Sequence, residues 1–315
     1  MKSLSLALGV GALGVGGGAY YAYRQAFYAR SGKKNIKGYF EKNISFQKAK
    51  DEVEQMIAEI DASPYESVFV KSYDGTRLFA KYYHKEDGAP VQILIHGYKG
   101  KANRDMCGAY RLARQLGHSV LLIDQRGCGS SQGDTVSFGV LERHDLLAWI
   151  NYLTQRFGNV PIFLLGISMG GATALMTTDM NLPENVKGVI ADCPYTSPED
   201  IVKKVCSDRG MPKQIFPLVT LGARLYGKFD ITSQSAIGSV AKSKVPILII
   251  HGRKDGFVPC EMAQRIYDAA KCEKTLVLFD EADHCASYVS DPQKYKTAVC
   301  DFVNLCLEKT AENKI

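Results

Sequence analysis

Six short apolar runs, each parted from the next by a stretch of helical spacing, constrain this chain more than any other feature. They occupy 91–95, 120–123, 162–165, 186–191, 247–250 and 276–279. Runs this short and this continuously apolar suit strands buried on both faces. Such strands need helices above and below, and apolar periodicity supplies them around 105–116, 140–156, 169–179, 261–270 and 292–308. The repeating unit is therefore β-α, and the fold class is α/β with a doubly wound, mostly parallel sheet. Ahead of these runs, 67–72 and 77–83 alternate around Asp74-Gly75. That is a hairpin signal and predicts two antiparallel edge strands. Phe46, Val53, Met56, Ile57 and Ile60 recur at helical spacing among charges and predict an amphipathic helix ending before Ser63-Pro64.

One connection is too long for a simple crossover. Residues 194–244 carry Pro198, Pro212 and Pro217 and an apolar set that includes Ile201, Val202, Val205, Ile215 and Val219. This segment is expected to be an inserted helical cap, about 195–244, over the carboxyl ends of the strands, where open α/β sheets bind ligands. At 315 residues the chain accommodates one domain of this class or two.

Charge divides the chain. Residues 1–50 hold nine Lys or Arg against the single acid Glu41, a net of +8, which leaves −2 on the remainder of a chain that totals +6. A body so balanced lacks the clustered cations that nucleic-acid binding requires. Within the basic arm, 4–23 is free of charge for 20 residues, about 30 Å if helical and so the thickness of a bilayer core. The expectation is a single membrane anchor over residues 1–30, then a basic linker and amphipathic helix over 31–64, then a domain over 65–310. Arg24, Arg30, Lys33, Lys34 and Lys37 follow the uncharged stretch and only Lys2 precedes it, which places the body in the cytoplasm. The competing expectation is a cleaved signal peptide ending near Gly17-Gly18-Ala19, with a secreted or cell-surface body. Nine cysteines, an odd number without zinc-like spacing, accord with a reducing compartment and predict no metal centre.

Two stretches match G-x-S-x-G. Gly129-Ser130-Ser131-Gln132-Gly133 lies in a loop that does not lead straight into a helix. Gly166-Ile167-Ser168-Met169-Gly170 comes directly off the run 162–165 and enters the small-residue segment Gly170-Gly171-Ala172. That is the strand–turn–helix setting of a nucleophile elbow, and it makes Ser168 the candidate nucleophile. A seryl hydroxyl is too weak an acid to react unaided, so a carboxylate and then a histidine must follow. Asp255 lies in a turn after the run 247–250, and His284 on the loop after the last run. Asp192 also ends a run and is the main rival to Asp255, whereas Asp124 is expected to brace its own loop by pairing with Arg126. Among the other histidines, His84, His118, His144 and His251 are read as structural. Stabilising an oxyanion needs backbone N–H donors, expected from Met169 and, in the loop after the first parallel run, from Tyr98.

These segments together resemble the α/β-hydrolase superfamily, in its esterase, lipase and serine-aminopeptidase-like branch, which includes membrane-tethered bacterial proteins. The resemblance spans about 65–310 and rests on Asp74-Gly75, His96-Gly97-Tyr98, Asp124 to Ser131, Gly166 to Gly170, Asp255 to Pro259, and Ala282-Asp283-His284. It implies an eight-stranded sheet, a triad of Ser168, Asp255 and His284, and no cofactor or metal. The implied activity is hydrolysis of carboxylic esters with a hydrophobic acyl or aryl group, lipids included. A serine aminopeptidase or a thioesterase is the alternative, with a non-catalytic binding module behind both. A peptidase would hold a substrate amine with acids such as Glu199, Asp200 or Asp208.

Overall fold

The apolar runs become the strands of one sheet. The structure, a computed structural model, describes residues 2–29 and 44–312, with side chains over 14–29 and 46–309. Eight strands follow one another in the chain as β1 Glu66–Lys71, β2 Arg77–Tyr83, β3 Val91–Ile95, β4 Ser119–Asp124, β5 Ile162–Ile167, β6 Val186–Asp192, β7 Ile247–Gly252 and β8 Lys274–Phe279. Across the sheet the order is β1-β2-β4-β3-β5-β6-β7-β8. β1 pairs antiparallel with β2 and β2 antiparallel with β4, while every other pairing is parallel. Thus β2 alone runs against the rest, and the two antiparallel ladders lie together at one edge.

Alternation within a strand sends neighbouring side chains to opposite layers. In β3 and β4, Ile93, Ile95, Leu121 and Ile123 enter one core, and Leu94, Val120 and Leu122 enter the other. Each side chain of this kind contributes about 1.5–3 kcal/mol when fully buried. The flanking helices bear the predicted positions with shifted ends: α3 Cys107–Gln115, α4 Glu142–Phe157, α5 Met169–Thr177, α8 Cys260–Ala269 and α9 Pro292–Glu312. The amphipathic helix is α2, Lys50–Ala62, whose Met56 and Ile60 are buried. Between β6 and β7, α6 Pro198–Asp208 and α7 Phe216–Gly222 form the cap with a short helix at Ala236–Val240. Ser197 caps α6 by accepting from the Asp200 N–H at 3.0 Å.

Two sequence expectations are corrected. Arg126 does not pair with Asp124. Its guanidinium makes two 2.6 Å hydrogen bonds to the Asp145 carboxylate and one of 2.9 Å to Asp74, tying the loop after β4 to α4 and the edge hairpin. Asp124 instead accepts from the Ser130 N–H.

The second correction concerns the anchor. Residues Lys2–Ala26 form a helix, α1, yet no helix among the described residues is long and apolar enough to cross a membrane. Six glycines lower the hydropathy of the uncharged stretch. The second half of α1 packs on the body: Ala19 and Phe27 are fully buried, and Tyr23 nearly so. The Phe27 ring meets Phe138 and Phe229 edge-on, at 5.9 and 5.1 Å between centroids. Just past α1 the chain joins the body, the Ala29 N–H donating to the Asp134 carbonyl and the Val136 N–H to that of Phe27, both at 2.7 Å. Arg30, Lys33, Lys34 and Lys37, on which the cytoplasmic orientation depended, lie outside the described residues.

Candidate active site

Ser168 sits between β5 and α5 with φ +55° and ψ −118°. A non-glycine residue holds that left-handed conformation only where its surroundings enforce it, at a cost of about 1–3 kcal/mol. Here glycines on either side allow the enforcement. A Cβ on Gly166 would stand 2.3 Å from the Gly170 carbonyl group, and one on Gly170 would stand 2.0 Å from the Ile95 carbonyl oxygen. The turn is therefore pressed against β3, and it projects the Ser168 hydroxyl beyond the carboxyl edge of the sheet.

The loop after β8 brings His284 to that hydroxyl. Ser168 Oγ and His284 Nε2 are 2.9 Å apart, and His284 Nδ1 lies 2.7 Å from Asp255 Oδ2. An ionised carboxylate can only accept, so Nδ1 carries the proton and Nε2 is free to accept from Ser168. The other oxygen of Asp255 accepts from the N–H groups of Phe257 and Val258, at 2.9 and 2.7 Å. Burial alone would raise the Asp255 carboxyl, but the charge of His284 and hydrogen bonds from His251 and His284 outweigh it and hold the acid well below its usual range. Burial likewise opposes charge on His284, while the Asp255 carboxylate beside it, by its charge and its hydrogen bond, favours charge, and the imidazole is held above its ordinary value. An imidazole so placed can take the hydroxyl proton and keep the resulting cation paired.

The remaining predicted residues divide around this point. Met169 begins α5 immediately after Ser168. Tyr98 lies in the loop after β3, where a Cβ on its neighbour Gly97 would be 3.7 Å from that of Ser168. The Tyr98 ring stacks on Phe138, and its hydroxyl donates to the Ala26 carbonyl at 2.5 Å. Asp192, the rival acid, lies buried at the end of β6. It accepts from Ser287 Oγ at 2.9 Å, and burial pushes its carboxyl up to about 6. Ser131, the rival nucleophile, is occupied structurally, donating to the Asp124 carbonyl and accepting from the Phe79 N–H.

Sequence reasoning assigned no part in the site to three of its neighbours. His251, read as structural, is fully buried with Nε2 2.9 Å from the Val258 carbonyl and 3.2 Å from Asp255 Oδ2, so it helps to fix the acid. Its spacing of four residues from Asp255 at a strand end was the available signal. Cys193 and Cys285 lie beneath His284 with sulfurs 3.6 Å apart. With His284 they form the group, among the described residues, whose donor atoms are near enough to grip a cation. Binding one would draw the imidazole away from Ser168 or Asp255.

Ser168 opens into a cavity of about 270 Å³ between the cap and α1. Ile201, Val202, Val205 and Val219 line its cap side, and Arg209 is the charged residue among its lining.

Residues 90–212 match the family model described as the alpha/beta hydrolase fold. The chain is 27% identical over 192 residues to the uncharacterized protein YqkD of Bacillus subtilis, covering 60% of this chain and 63% of that protein, less than two thirds of its length. It is 26% identical over 207 residues to the lysophosphatidylserine lipase ABHD12 of Danio rerio, covering 62% and 52% of the two chains. Among solved structures, the esterase Pf2001 of Pyrococcus furiosus superposes with a TM-score of 0.62 at 21% identity, covering 78% of this chain and 92% of that one. At that identity the likeness speaks for the fold alone. The sheet order, the matched segment and this structural neighbour agree, and the chain has the α/β-hydrolase fold.

Proposed function

We propose that the protein is a serine hydrolase of carboxylic esters with hydrophobic acyl or aryl groups. The observation that carries this reading is the unbroken series of hydrogen bonds from Ser168 through His284 to Asp255, opening on an apolar cavity. Ser168 Oγ attacks the ester carbonyl carbon as His284 Nε2 takes its proton. The oxyanion so formed is met by the N–H groups of Met169 and Tyr98. Collapse expels the alcohol, which receives its proton from His284 and leaves an acyl group on Ser168. Water then attacks that acyl group, His284 again acting as base, and the carboxylic acid leaves. Asp255 keeps the imidazole in one tautomer and offsets its charge throughout.

The aminopeptidase alternative draws no support from the cavity. Glu199 pairs with Lys203, Asp208 with Lys204, and Asp200 accepts from Thr196 Oγ1. None of the three lines the cavity, and Arg209 there would repel a terminal ammonium. A panel of p-nitrophenyl esters from acetate to palmitate tests the proposal. Turnover is expected, with a preference for chains longer than acetate; a folded protein that turns over no member of the panel would overturn it.

A further inference from the structure

We infer that helix α1 is a wall of the acyl site, and that Gly18, Ala22 and Ala26 on it set the length of acyl group accepted. The inference rests on the ester reading above for the identity of the occupant, but its geometry is independent of the chemistry. Ser168 and Met169 stand at one end of the cavity, α6 and α7 at its side, and Gly18, Tyr21, Ala22, Gln25 and Ala26 of α1 close it. Without α1 the same space would be a groove open to water along that side. An apolar chain gains about 25 cal/mol per Å² on leaving water, so the closed form is the one that holds it.

Contacts show that α1 is seated rather than resting loosely. A Cβ on Gly222 of α7 would stand 2.3 Å from the Ala19 carbonyl oxygen, so the two helices meet at backbone distance. The Tyr23 hydroxyl is 2.7 Å from Thr135 Oγ1. The bond from Tyr98 to the Ala26 carbonyl ties α1 to the loop beside Ser168. The helix thus joins the chain-holding part of the cavity to its reacting end. At Gly18, Ala22 and Ala26 the side chains extend no further than one carbon, and a larger one would occupy space left for substrate. A Cβ on Gly18 meets only Leu218, at 3.5 Å, so that position tolerates enlargement.

The test uses the full chain with Ala22→Trp and, as a second enlargement, Gly18→Leu, each checked for an unchanged thermal transition. Hydrolysis of p-nitrophenyl acetate and decanoate is measured beside calorimetric binding of decanoic acid. The expected result in at least one folded variant is a decanoate-to-acetate ratio of kcat/KM at least tenfold below that of the natural chain, with a matching fall in affinity for the acid. Unchanged decanoate hydrolysis and binding in both folded variants would overturn the inference, as would equal losses on acetate and decanoate. If the natural chain cleaves no ester yet binds decanoic acid, and the variants lose that binding, the ester reading fails and the wall stands. If the natural chain does not bind decanoic acid, the wall is overturned whatever the ester result.

Discussion

Asp255 and Asp192 both end strands in the sequence, and what separates them is their surroundings. Asp255 accepts two backbone N–H bonds and faces two imidazoles, whereas Asp192 is buried with one seryl donor. Asp255→Asn removes the charge that holds the His284 tautomer, and its kcat on a p-nitrophenyl ester is expected to fall about 10⁴-fold, against less than about tenfold for Asp192→Asn. The pH profile follows from the same contacts. His284 must be neutral to accept the Ser168 proton and is held above its ordinary value, so kcat/KM should rise with pH along a limb centred above 6.5. In Asp255→Asn the limb of any residual activity should move down, because the favouring charge is gone. Asp192 bears on stability instead. An unfolded chain releases its proton near pH 4 and the folded one near 6, so between them the folded state binds more protons and stability falls as pH rises. Urea titrations at pH 4 and 6 should show Asp192→Asn lacking about 2 kcal/mol of that fall. Residue types and order made Ser168, Asp255 and His284 legible as candidates. His251 was signalled only by its four-residue spacing from Asp255, and the meeting of Cys193 with Cys285, 92 residues apart, is a proximity that no spacing encodes.

Strand β5, the elbow and α5 form one unit whose tolerance is set by backbone contacts. Gly170 faces the Ile95 carbonyl oxygen, and backbone cannot retreat as a side chain can. Gly170→Ala is therefore expected to destabilise the fold by about 3 kcal/mol or more, measured by denaturant titration, and to reduce turnover further by shifting the Ser168 turn. A well-tolerated alanine there would contradict the close approach of α5 to β3. At this scale the sequence was most informative, because continuous apolar runs have one good solution, a strand covered on both faces. The pairing of Arg126 escaped it. Asp124 is two residues away in sequence, but the folded chain offers Asp145 in bidentate geometry at 2.6 Å and Asp74 at 2.9 Å.

For the molecule as a whole, the consequential difference lies at the amino-terminal end. An uncharged stretch of 20 residues fits the length of a membrane span, and that length with its flanking charges carried the expectation of an anchor. Ala22 and Tyr23 lie three and four residues after Ala19, and Phe27 four after Tyr23, so one buried helix face was already written there. Phe27 distinguishes the two roles. If the segment were only a tether, Phe27→Ala would leave the stability of the body unchanged. Because the ring is fully buried among Phe138 and Phe229, a loss of about 3–5 kcal/mol is expected by urea titration of the full chain. The chemistry itself rests on one premise, that Ser168 is activated by the imidazole 2.9 Å away. The most direct measurement is exposure of the full chain to a fluorophosphonate, followed by mass spectrometry of the modified peptide. A stoichiometric adduct on Ser168, abolished by Ser168→Ala and slowed by His284→Ala, is the expected result; a folded protein left unmodified, or modified at Ser131 instead, would contradict it.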